Sequence, residues 1–181
     1  VVLGGCSLGG AISLAVALRK RVTLRGLVLI GTFGDSRHVH GVTRRFGPLL
    51  ARLLPLGLSR AFARHVIAHT PFFGRISPED VEWIVSTRVA RTREYYIRAA
   101  EAATRQHQIA AARELALPTL VLHGAEDHVL PYAAGKELAE TIPGAKLATF
   151  DGAGHALFFT HHDQVNAAIA EFVRGLPQAM T

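Results

Sequence analysis

The sequence is poor in cysteine, with one in 181 residues. That excludes an internal disulfide framework and any zinc or iron–sulfur site built from several cysteines. No apolar run reaches the roughly 18 residues needed to span a bilayer, and no charged-then-apolar signal segment opens the chain. Acidic residues are scarce at first: residues 1–113 carry 17 Lys and Arg against 6 Asp and Glu, a net +11. Residues 114–181 carry 3 against 8, a net −5. A basic stretch can serve nucleic acid or an anionic membrane. Here the arginines are dispersed, and neither an aromatic stacking platform nor a nucleic-acid motif accompanies them. The expectation is a solvated helical surface, with no nucleic-acid and no membrane partner. What the chain does have is apolar material, 49% hydrophobic residues at a mean hydropathy of +0.24. That is enough for a core and too much for a disordered chain.

Residues 1–5, 26–31 and 118–124 are short, continuous apolar runs bounded by glycine, the pattern of strands buried on both faces of a parallel sheet. A weaker strand runs from Ala145 to Phe150. The spacing predicts a helix from Leu8 to Lys20, with basic residues at the end where they suit the helix dipole, and further helices over 132–142 and 163–175. Strand, helix, strand followed by strand, helix, strand, helix predicts a parallel α/β sheet with right-handed crossovers. The stretch from Phe33 to Arg113 breaks the alternation. It reads as helical pieces punctuated by Gly47-Pro48, Pro55, Pro71 and Ser77-Pro78, with Ser77 as an N-cap ahead of Pro78, Glu79 and Asp80. The division is therefore core over 1–32, a helical cap over 33–113 and core over 114–181. Val1-Val2-Leu3 already reads as a buried strand without a polar lead-in, so the chain is expected to be the C-terminal part of a longer fold.

The most informative residues are Gly5-Cys6-Ser7-Leu8-Gly9, directly between a strand and a helix. This is G-x-S-x-G in the setting that gives it meaning. A nucleophile on a sharp strand-to-helix turn is held in a strained backbone conformation. Side chains two residues before and after are expected to collide, hence Gly5 and Gly9. The turn places Ser7 at a helix N-terminus, where the Leu8 N–H can receive a developing oxyanion. A glycine-rich turn can instead hold phosphate, but the dinucleotide and P-loop patterns both fail here. Centring the motif on Cys6 would put Leu8 at the required glycine, so Cys6 reads as a small buried neighbour. A serine nucleophile needs a base, and the base an orienting carboxylate. Asp127 follows the third strand and His155 the fourth, both at carboxyl ends of strands on the same rim as Ser7.

Gly5-Cys6-Ser7-Leu8-Gly9, Gly124-x-x-Asp127-x-x-x-Pro131 and Gly152-Ala153-Gly154-His155 together make the chain resemble the second half of an α/β-hydrolase-fold serine hydrolase. The group is that of esterases, lactonases and carbon–carbon-bond hydrolases with a helical cap. The resemblance covers nearly the whole chain and implies Ser7 as nucleophile, His155 as general base and then acid, Asp127 as its orienter, and 33–113 as the cap. It also implies strands ahead of the elbow, with a loop there supplying a second oxyanion donor, so the oxyanion hole is expected to be half missing from these residues. The motifs say little about substrate.

Other residues carry weaker expectations. Asp127 is preferred to Glu126 and Asp151 as the acid because Val129-Leu130-Pro131 then opens the next helix, and Asp35 is the runner-up. His38 and His40 are possible pocket-lining residues, as is Phe33 after the second strand. His123 is expected to be packed beneath Asp127, and His128 and the pair His161-His162 to lie on the surface. Trp83, Tyr95 and Tyr96 are expected to pack the cap against the core, and Phe158 and Phe159 to pack the last helix and the base of the site. The expected chemistry is transfer of an acyl group from an ester, thioester, lactone or similar small molecule to water, without metal or organic cofactor, in the cytoplasm. A non-enzymatic ligand-binding protein of the same fold, or acyltransferase or perhydrolase chemistry on the same triad, is the alternative.

Overall fold

A computed structural model of the protein describes residues 1–69, 74–89 and 92–177. Four parallel strands form one sheet in the order β1 (Val2–Cys6), β2 (Gly26–Ile30), β3 (Thr119–Gly124) and β4 (Lys146–Phe150). Helix α1 (Leu8–Leu18) connects β1 to β2, and α7 (Tyr132–Thr141) connects β3 to β4. After β4 come the short α8 (Leu157–Thr160) and then α9 (His162–Arg174).

The continuous apolar runs of β2 and β3 follow from having both faces covered. Leu27, Leu29 and Val121 pack on one side with Leu14 of α1 and Leu138 of α7. The alternate residues Val28, Leu120 and Leu122 pack on the other with Leu157, Val165 and Phe172 of α8 and α9. Two-residue periodicity thus feeds two clusters from one strand. The outer strands β1 and β4 are only partly buried.

Between β2 and β3 lie a 3₁₀ turn (Ser36–His38) and five helices among the described residues: α2 (Gly41–Leu53), α3 (Leu56–His69), α4 (Pro78–Val89), α5 (Arg93–Thr104) and α6 (Ile109–Ala112). Ser77 caps α4: its Oγ accepts from the Asp80 N–H at 3.0 Å and donates to the Asp80 carboxylate at 2.7 Å. Pro55 separates α2 from α3. Pro48 does not punctuate as its residue type suggests, because it sits inside α2. Helix α2 packs along α5, and that contact carries the helix past a residue that donates no backbone hydrogen bond. Pro71 lies outside the described residues. Among them, no helix is long and apolar enough to cross a membrane.

Candidate active site

Ser7 stands where β1 turns into α1, with φ 54° and ψ −126°, a strained conformation for a residue with a Cβ. Two long-range contacts hold it there. The Ser7 N–H donates to the Ile30 carbonyl at 2.9 Å, and the buried Thr32 hydroxyl donates to the Ser7 carbonyl at 2.6 Å. A Cβ on Gly5 would lie 2.3 Å from the Gly9 carbonyl oxygen, and one on Gly10 would lie 2.6 Å from the Thr32 Cβ. A Cβ on Gly9 would meet nothing within 4 Å. The steric demand therefore falls on Gly5 and Gly10, not on Gly9 as the motif suggests. The backbone approach at the elbow is made by the Gly9 carbonyl, not by its Cα.

His155 lies in the loop after β4, and Asp127 in the loop after β3. The His155 Nδ1 is 2.7 Å from Asp127 Oδ2, and its Nε2 is 3.0 Å from Ser7 Oγ. A carboxylate accepts only, so Nδ1 carries the proton toward Asp127 and the Nε2 lone pair faces the serine hydroxyl. The other oxygen of Asp127 accepts from the Val129 and Leu130 N–H groups, each at 2.9 Å. A fully buried carboxylate is thus answered by hydrogen bonds on both oxygens.

The two loops are tied by their backbones. The Ala125 N–H donates to Phe150 O and the Glu126 N–H to Ala153 O, both at 3.0 Å. A Cβ on Gly124 would lie 2.3 Å from Ala153 O. Beneath the acid, His123 is completely buried, its Nε2 donating to the Leu130 carbonyl at 3.0 Å and standing 3.6 Å from Asp127 Oδ2. Burial, with some repulsion from His155, holds its pKa below the ordinary value against the pull of the Leu130 carbonyl and Asp127. Burial first, then the Asp127 charge, pushes the Cys6 thiol up to about 12. Cys6 is therefore a protonated neighbour with little nucleophilic character.

Ser7 and Leu8 form part of the floor of an apolar cavity of about 440 Å³. Phe33 lines it, as does His40. His38 does not: its Nε2 bonds Glu137 of α7 at 2.8 Å, and Arg37 pairs with the same carboxylate. The 3₁₀ turn ends at His38, and the extended backbone at Val39 carries the chain on so that His40 reaches the cavity while His38 faces α7, an alternation that spacing from β2 does not reveal. Residue type alone also misses Val39, Thr43 and His128, which are among the other residues lining the cavity. His128 is exposed, as expected, and its loop position beside Asp127 also brings it to the cavity rim. Leu8 is the first residue of α1, so its N–H has no partner within the helix.

The remaining candidates fall elsewhere. Asp35 caps the 3₁₀ turn through the Arg37 N–H at 2.8 Å and takes no part with His155. Trp83 of α4 meets Phe159 of α8 edge to face, with centroids 5.7 Å apart. Tyr95 packs on Tyr96. The His161 ring stands against Phe150, its Nδ1 2.8 Å from the Thr160 hydroxyl. Among the described residues, no group of three or more His, Cys, Asp or Glu side chains is placed to hold a metal ion.

A comparison with protein families matches residues 1–162 to the serine aminopeptidase, S33 family. The chain is 30% identical over 176 residues to polyketide synthase ThaQ of Burkholderia thailandensis, covering 93% of this chain and 8% of that protein. It is 27% identical over 187 residues to a pimeloyl-[acyl-carrier protein] methyl ester esterase of Neisseria meningitidis, covering 94% of this chain and 68% of that one. Among solved structures, an esterase from Exiguobacterium antarcticum superimposes with a TM-score of 0.81 at 20% identity, over 97% of this chain and 67% of the esterase. That last likeness speaks for the fold alone. The chain thus spans about two thirds of either esterase and a small part of the synthase. The parallel sheet, its covering helices and a family match over most of the length lead to one conclusion: the chain belongs to the serine aminopeptidase, S33 family of α/β-hydrolase-fold enzymes.

Proposed function

We propose that the protein hydrolyses an ester, thioester or lactone through a serine nucleophile and an acyl-enzyme intermediate. The observation that carries this is the continuous hydrogen-bonded chain from Ser7 Oγ through His155 to Asp127, at 3.0 and 2.7 Å. Ser7 Oγ attacks the carbonyl carbon as His155 Nε2 takes its proton. Asp127 holds the imidazole in the required tautomer and stabilises the imidazolium that forms. The Leu8 N–H, at the positive end of α1, receives the oxyanion. His155 then protonates the leaving group, and a water activated by the same nitrogen releases the acid. The apolar cavity beside Ser7 favours a substrate with an apolar acyl or alcohol portion. The esterase named among the relatives supports the reaction class.

Labelling with a fluorophosphonate probe tests this. Wild type should label, and Ser7→Ala and His155→Ala should not. Asp127→Asn, which frees the imidazole to take the wrong tautomer, should slow turnover by about 10⁴. A folded wild type that fails to label would favour a ligand-binding protein that keeps the cavity.

A further inference from the structure

A third ionisable side chain lies beneath the Asp127–His155 pair and takes no part in the proton transfers proposed above. His123 stands near the end of β3, one residue before Gly124, and is completely buried. The fold makes room for its ring at a cost. Gly135 faces the ring from within α7, and a Cβ there would lie 2.3 Å from His123 Nδ1 and 2.7 Å from its Cγ. Glycine inside a helix weakens the helix. The Nδ1 atom is itself buried and has no hydrogen-bond partner among the described residues, which is unfavourable for any polar atom. A residue serving only to fill this space would be aliphatic, as Val121 is two residues earlier on the same face of β3.

What the imidazole supplies is one N–H. Burial favours the neutral ring, and a carbonyl only accepts, so the proton sits on Nε2, 3.0 Å from Leu130 O. The Leu130 N–H donates to Asp127 Oδ1, as does that of Val129, each at 2.9 Å. Leu130 is therefore held from below at its carbonyl while it grips the carboxylate through its nitrogen. Pro131 follows it, so the peptide carrying that carbonyl has no N–H by which another element could hold it. The 3.6 Å from His123 Nε2 to Asp127 Oδ2 is too long for a hydrogen bond. Oδ2 is thus left to His155 Nδ1 at 2.7 Å. We propose that His123 is a positioning residue for the acid: through Leu130 it fixes the two N–H groups that turn Asp127 Oδ2 toward His155. The inference rests on the hydrolase reading, in which His155 takes a proton from Ser7.

Wild type, His123→Leu, His123→Gln and His123→Asn, each as the full-length protein its gene encodes, test this. A glutamine amide nitrogen reaches the place of Nε2, whereas that of asparagine reaches only the place of Nδ1. With p-nitrophenyl butyrate as substrate, His123→Leu and His123→Asn should lower kcat about 10²-fold, the scale of an ångström of misplacement. KM should stay as in wild type, because a completely buried side chain touches no substrate. His123→Gln should recover most of the loss. The proton resonance of His155 Nδ1–H, shifted far downfield by its bond to Asp127, should persist in wild type and His123→Gln and be displaced or lost in the other two. That signal needs no turnover, so the two readings can fail separately. A wild type without esterase activity whose resonance follows this pattern would count against the hydrolase reading and support the positioning. Equal kcat in all four proteins, or a resonance unmoved by His123→Asn, would overturn the proposal. Equal losses of activity or of folding in His123→Gln and His123→Asn would make His123 a packing residue and overturn it too.

Discussion

His123 gives the residue scale its sharpest test. It is completely buried, donates to the Leu130 carbonyl, and is held neutral chiefly by burial. The unfolded chain binds a proton at this histidine below about pH 6.5, while the native state resists it. In that window the unfolded state carries more protons, so stability falls as pH falls. His123→Gln keeps a donor near the Leu130 carbonyl and removes the titration. Urea melts between pH 7.5 and 5 should therefore show a shallower acid loss in the variant. The slopes should differ by no more than about 1.4 kcal/mol per pH unit, the limit for one proton. Equal slopes would mean that the native state accepts this proton as readily as the unfolded chain. The juxtaposition of Ser7, Asp127 and His155 was legible in the sequence because each follows an apolar run with a glycine within three residues. His38 was misread because the direction of a side chain in the 3₁₀ turn depends on Glu137, about a hundred residues away.

At the scale of elements, two loops must approach closely for the acid and the histidine to meet, and Gly124 marks the place. A methyl group there would face the carbonyl of Ala153 at 2.3 Å and that of Gly154 at 2.8 Å. Both neighbours are backbone, so the His155 loop must move away from Asp127. Gly124→Ala should cost about 1–3 kcal/mol of stability as an overpacking change. It should also lower kcat/KM by about 10², the scale of an ångström of misplacement. Gly152 has φ 73° but nothing within 4 Å of its Cβ position. Gly152→Ala should therefore cost only about 1–2 kcal/mol of left-handed strain and leave most activity. Thermal melts and ester kinetics on the two variants separate these outcomes. β2 and β3 were readable because burial on both faces writes an unbroken apolar run. Helix α2 was not, because Pro48 reads as a stop.

Across the whole molecule, the helical segment between β2 and β3 leaves and rejoins the sheet at one neck. The Ser36 N–H donates to Gln106 O at 2.8 Å, the Gln108 N–H donates to Gly34 O at 2.7 Å, and Asp35 lies 3.4 Å from the His107 ring. Beyond that neck the described residues bury few apolar side chains. Ile67, Val81 and Val85 form their own cluster between α3 and α4, apart from the two clusters on the sheet. Three buried aliphatic side chains at about 1.5–3 kcal/mol each supply far less than the sheet's two faces together. The helices should therefore open locally while the strands stay closed. In native-state hydrogen exchange, amides of α3 and α4 should exchange at least about 10²-fold faster than those of β2 and β3. Ser7, Asp127 and His155 all lie on the sheet side of the neck, so such opening would uncover the cavity without taking the three apart. Covalent labelling of Ser7 by a probe with an apolar tail should then slow exchange in the cavity wall, read at Val39 and Thr43, and leave β2 and β3 unchanged. Exchange at one common rate in helices and strands would show instead that the segment and the sheet unfold together, and access to Ser7 would have to be sought without movement of the helices.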